Sequence, residues 1–136
     1  MLRPMNTPIK KIQLVVAGVG ILVPYLSRIP GVFFKSSTWL TSFLSVGIGG
    51  TLFLQTFNAV CWGAIVCAIG TYKNARSVFF PILAGFPLLV FWYAYLDLAS
   101  SSTAALALIF IPIETLPPIF VGWLIGKYFD RTPNTI

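Results

Sequence analysis

Histidine is absent from this chain, and acidic side chains are scarce: Asp97, Glu114 and Asp130 are the only three. Without histidine, no side chain has an ordinary pKa near neutrality, and mechanisms built on a histidine base are excluded. There are no paired carboxylates, no HExxH helix and no glycine-rich phosphate loop, so an enzyme is not expected. Two cysteines, Cys61 and Cys67, are six positions apart in one apolar segment. On a helix that is about 240° of rotation and about 9 Å of rise, outside disulfide reach. They are expected as free thiols, and neither a cofactor nor a metal site is expected.

Charge of either sign is rare. Charged residues make up 9% of the 136 positions, hydrophobic residues 57%, and the mean hydropathy is +0.90. Soluble domains carry about 25% charged residues. The composition therefore predicts an all-α polytopic membrane protein forming a single domain, with the lipid bilayer as its first partner. Nine Lys and Arg give a net charge of +6. They stand singly or in pairs at the edges of apolar runs, where anchors and topology signals belong, and form no basic stripe for nucleic acid.

Four transmembrane helices are predicted, over about residues 10–28, 51–72, 77–96 and 103–126. The first is short, so Arg28 is read as an anchor snorkelling outward from its end. No charge appears from Trp39 to Tyr72, about 34 residues, where a single span needs about 20. The expected solution is a glycine-rich break at "GIGG", residues 47–50, preceded by an interfacial or re-entrant piece over about 33–48. One long tilted helix is the alternative. Pro87 is expected to kink the third helix, and Pro112, Pro117 and Pro118 the fourth.

Four spans put the head, the "KNAR" loop and the tail on one side. That side holds seven basic residues against two on the other. The positive-inside rule then predicts cytoplasmic N- and C-termini in a plasma or inner membrane. Trp92, Tyr93 and Tyr95 are expected in one aromatic belt, with Tyr72, Trp123 and Tyr128 in the other.

Polar residues inside the spans carry the remaining signal. Thr51, Gln55, Asn58 and Trp62 are spaced 4, 3 and 4 and share one helix face. Polar groups in hydrocarbon must find partners, so this face should look into the bundle. Beside it Ala59, Gly63, Cys67 and Gly70 form a small-residue stripe suited to close helix packing, and Gly122 and Gly126 form a G-x-x-x-G. Glu114 lies about halfway along the fourth helix, where an ionised carboxylate costs a few kcal/mol. Pro112, Pro117 and Pro118 leave the carbonyls of Leu108, Ile113 and Glu114 without amide donors. Glu114, Thr115, Gln55, Asn58 and Thr51 are thus expected to share one polar or ion site.

Two functions follow. The first is a small integral membrane protein acting by helix packing, as a homo-oligomer or an accessory subunit of a larger membrane complex. The second is an oligomeric proton- or cation-coupled transporter or channel with Glu114 as its titratable group. Lipid handling through "FFKSSTW" is a thinner third.

Overall fold

A computed structural model of the chain describes residues 7–97 and 103–131. Among them the fold is all-helical: α1 (Thr7–Leu26), α2 (Ile29–Phe34), α3 (Thr38–Leu44), α4 (Gly47–Gly70), α5 (Phe79–Tyr95) and α6 (Ala107–Arg131). A 3-10 turn over Ala75–Val78 leads into α5, and another over Ala104–Leu106 leads into α6. Four helical stretches are long and apolar enough to cross a membrane: Pro8–Phe34, Gly47–Gly70, Ala75–Tyr95 and Ala104–Arg131. The connection between the third and fourth predicted spans falls largely outside the described residues.

The region read as interfacial or re-entrant resolves into two short helices, α2 and α3. The glycine-rich break needs correcting. Helix α4 starts at Gly47, so residues 47–50 form its first turn instead of a gap before Thr51. The chain bends at Ser45 and Val46. Gly47 then takes a φ of +73°, a conformation glycine adopts without the Cβ clash other residues would suffer. Helix α6 continues past Gly126 to Arg131, and both α5 and α6 run unbroken through their prolines.

Helix α1 packs on α4, α4 on α6, and α5 against α1, α4 and α6. Two apolar clusters stack along the bundle. The proximal one, where α1 begins and α6 finishes, gathers Ile9, Val16, Ile65, Ile69, Val78 and Ile119. The distal one gathers Val23, Phe43, Leu54, Leu89, Leu108 and Ile111. Outward faces are apolar too, with Leu14, Leu52, Leu83 and Phe110 exposed, as lipid contact permits.

Small residues bring the helices together. A Cβ on Gly122 would lie 2.8 Å from both the Phe80 carbonyl oxygen and the Ala84 Cβ, and one on Gly126 would strike Tyr72. The G-x-x-x-G of α6 is therefore occupied by α5 and the loop before it, within the chain. Gly70 packs against the Gln13 amide, and Gly63 has open space where a side chain would be.

Candidate functional site

The polar face of α4 does turn inward, and its partner is α1. Asn58 is fully buried and donates Nδ2 to the Gly20 carbonyl at 2.8 Å and to Gln55 Oε1 at 3.0 Å. Gln55 donates Nε2 to the Ile21 carbonyl at 3.0 Å. One turn beyond, Pro24 is buried inside α1. A proline cannot donate to the carbonyl four residues earlier, and for Pro24 that carbonyl belongs to Gly20. Asn58 thus supplies the hydrogen bond that Pro24 cannot. At the other end of the seam, Gln13 Nε2 reaches the Val66 carbonyl at 2.9 Å.

The remaining residues expected in one polar node are dispersed. Thr51 bonds back to the Gly47 carbonyl of its own helix at 2.8 Å. Thr115 is buried, donates to the Ile111 carbonyl at 2.7 Å and lies 3.1 Å from the Cys61 sulfur. Cys61 and Cys67 are both free thiols. Glu114 sits on the outside of the bundle. The buried stripe of α6 runs through Leu108, Ile111, Thr115, Ile119, Gly122 and Gly126, and Glu114 points about 100° away from its centre at about 100° per residue. Among the described residues a side-chain amide meets a proline-freed carbonyl at Pro24 and at none of the prolines of α6.

Two further polar clusters close the bundle at its ends. Arg28, read as a snorkelling anchor, is instead fully buried. Its guanidinium donates to the carbonyls of Trp39 at 2.7 Å, Tyr93 at 2.9 Å and Leu96, and lies 3.8 Å from the Phe43 ring centroid. Trp39 Nε1 donates to the Ala94 carbonyl at 3.2 Å. The last carbonyls of a helix have no intrahelical donors and carry partial negative charge. Arg28 and Trp39 satisfy those of α5, and the charge of Asp97 acts on Arg28 as well. Tyr93, assigned to an aromatic belt, is buried under this clasp with its hydroxyl unpartnered, as are Asn58 Oδ1 and Trp62 Nε1.

At the proximal end the Asp130 carboxylate accepts the backbone N–H groups of Lys73 at 3.0 Å and Asn74 at 2.8 Å. Tyr72 donates its hydroxyl to the Trp123 carbonyl at 3.0 Å, Trp123 Nε1 donates to Thr71 Oγ1 at 2.9 Å, and Lys127 donates to the Thr71 carbonyl. Burial first, and then the negative charge of Asp130, push the Tyr72 hydroxyl up to about 12. Both clasps were missed in the sequence because charged residues next to apolar runs default to surface anchors.

Asp97 and Asp130 therefore serve the two ends of the bundle. Glu114 is the acidic residue that faces outward from α6, near the middle of a helical stretch long and apolar enough to cross a membrane. It is nine residues from Trp123, about 13.5 Å of helical rise, and half a hydrocarbon core is about 15 Å. No Lys or Arg occurs between Arg76 and Lys127, nor between Lys35 and Lys73. Among the described residues no cluster of three or more His, Cys, Asp and Glu could hold a metal ion. Compared with known proteins, the chain matches no family model, no curated protein and no solved structure.

Proposed function

We propose that this chain is a small integral membrane protein that acts by helix packing, as a homo-oligomer or an accessory subunit of a larger membrane complex. The observation that carries the reading is the outward position of Glu114. A carboxyl group turned toward hydrocarbon at this depth is costly unless something meets it. It is flanked on the same side of α6 by the exposed Phe110 and Val121, an apolar surface onto which another helix can close. In a homo-oligomer the facing group is the Glu114 carboxyl group of the next copy. In a heteromeric complex it is a basic or hydroxyl side chain of another subunit. The internal use of Gly122 and Gly126 leaves the Glu114 face as the stronger candidate for contact between chains. Cytoplasmic termini, a plasma or inner membrane, and bends at Pro87, Pro112, Pro117 and Pro118 complete the proposal.

The test is crosslinking in native membranes followed by purification. The proposal expects a crosslinked dimer or larger species, or a co-purified partner, that disappears in Glu114→Leu while the monomer remains folded. A crosslink-free monomer that retains no partner would overturn it.

A second reading is favoured by the same position. Pro117 and Pro118 leave the carbonyls of Ile113 and Glu114 without amide donors beside the carboxylate, and oxygen ligands of this kind suit a proton or cation in an oligomeric pore. Glu114→Gln preserves shape and removes titration. Proton or cation flux into proteoliposomes that survives this change intact would eliminate ion coupling at Glu114.

A further inference from the structure

A trough runs between α4 and α6 in the proximal half of the bundle. Its volume is about 430 Å³, and its walls include Ala64, Cys67 and Ala68 on one side and Leu116, Phe120 and Trp123 on the other. It exists because three small side chains of α4 face larger ones of α6, so the helix surfaces part between their contacts. From Ala64 to Thr71 it extends for seven residues, about 10.5 Å along the helix axis. Cys67 and Phe120 are exposed, so it opens sideways on the bundle surface. An apolar trough facing a bilayer is filled by hydrocarbon chains.

Its proximal end has a different character. A second cavity of about 530 Å³ shares Trp123 and is bordered by Lys127, Tyr128 and Arg131. Phe120, Trp123, Lys127 and Arg131 are spaced 3, 4 and 4, so one face of α6 passes from apolar to basic. The Lys127 ammonium has three donors, and the Thr71 carbonyl takes one. Arg131 is exposed. The trough therefore leads an alkyl chain toward two cations at the level where a phospholipid phosphate lies.

We infer that this α4–α6 trough binds an anionic phospholipid, with one acyl chain along Ala64, Cys67 and Phe120 and its phosphate against Lys127 and Arg131. A zwitterionic lipid offers the same chain but carries a cation beside its phosphate, which the two basic side chains repel. The site adds a lipid partner to the packing role and does not involve Glu114, which points about 135° away from this face around α6.

Full-length protein in a mild detergent, titrated separately with dioleoyl phosphatidylglycerol and dioleoyl phosphatidylcholine and read by native mass spectrometry, tests this. Phosphatidylglycerol is expected to be retained about tenfold better, a difference of about 1.4 kcal/mol. The preference should collapse in Lys127→Gln/Arg131→Gln. Cys67→Leu, which extends into the trough and not the core, should reduce retention of both lipids. Glycerol phosphate in excess separates the sources of the phosphate: failure to displace the lipid supports a chain-plus-headgroup site. Displacement together with an unaffected Cys67→Leu would reduce the site to a free-phosphate site and overturn the lipid assignment. Equal retention of the two lipids by the native chain would also overturn it. Should the double variant not fold, Arg131→Gln alone, on an exposed side chain, must still weaken the preference, and an unchanged preference there counts against the inference.

Discussion

Asn58 donates its amide to the carbonyl of Gly20, the acceptor that Pro24 leaves without an intrahelical donor. The two residues lie on different helices and have one acceptor in common. Their substitutions should be coupled. Asn58→Ala is expected to destabilise the bundle by about 0.6–1.7 kcal/mol, from the average to the largest value measured for interhelical hydrogen bonds in a membrane protein. In a Pro24→Ala background the backbone N–H restored at position 24 serves the Gly20 carbonyl, and the same substitution should cost less. Unfolding of all four variants in mixed detergent gives the cycle, and strict additivity would refute the shared acceptor.

Arg28 is expected to be the costliest side chain to lose. Arg28→Ala strips donors from the carbonyls of Trp39, Tyr93 and Leu96 together, and buried polar groups left unpaired cost about 1–3 kcal/mol each. Arg28→Lys should recover little, because one ammonium cannot reproduce the planar fork. Thermal unfolding of purified protein is the measurement, and a near-wild-type midpoint for the lysine variant would refute the fork geometry.

Alkaline pH should loosen the proximal clasp. The Tyr72 hydroxyl is raised to about 12 in the folded chain from an ordinary value of 10.0. Its contribution is complete below pH 10 and is lost as pH climbs toward 12, because the unfolded chain ionises first. Asp130→Asn removes one cause of the shift, so Tyr72 should then titrate at lower pH. Tyrosinate absorbance, compared with a Tyr72→Phe control, reads this directly.

Glycines of the small-residue stripes should diverge. Gly122→Ala pushes a methyl against the Phe80 carbonyl and Ala84, whereas Gly63→Ala enters open space. Overpacking costs about 1–3 kcal/mol, and an exchange of Gly for Ala within a helix favours Ala by about 1 kcal/mol. Gly122→Ala is expected to destabilise and Gly63→Ala to be neutral or stabilising, by the same unfolding assay.

How much of this was legible in the sequence depended on the kind of signal. Long charge-free runs marked the spans, because the bilayer imposes length and composition on them. The spacing of Gln55 and Asn58 marked an inward face, because unsatisfied amides cannot face lipid. Their acceptor was not legible: Pro24 lies unremarked inside the first predicted span, about residues 10–28, and the sequence does not record which neighbour comes close. The orientation of Glu114 was hidden for another reason. Helix α6 is apolar on all sides, so hydrophobic periodicity does not separate bundle from lipid. Only the small positions Thr115, Gly122 and Gly126 hinted at the buried stripe. Arg28 was misread because an arginine beside an apolar run usually reaches for water.

The distal clasp imposes an order on assembly in the cell. Arg28 follows the first span, yet its acceptors at Tyr93 and Leu96 end the third. In a chain synthesised from its N-terminus, that guanidinium has the Trp39 carbonyl within reach early, and gains its other two carbonyl acceptors only when the third span has been made. Completion of the third span is therefore the step that lets the distal clasp close over α1 and α4.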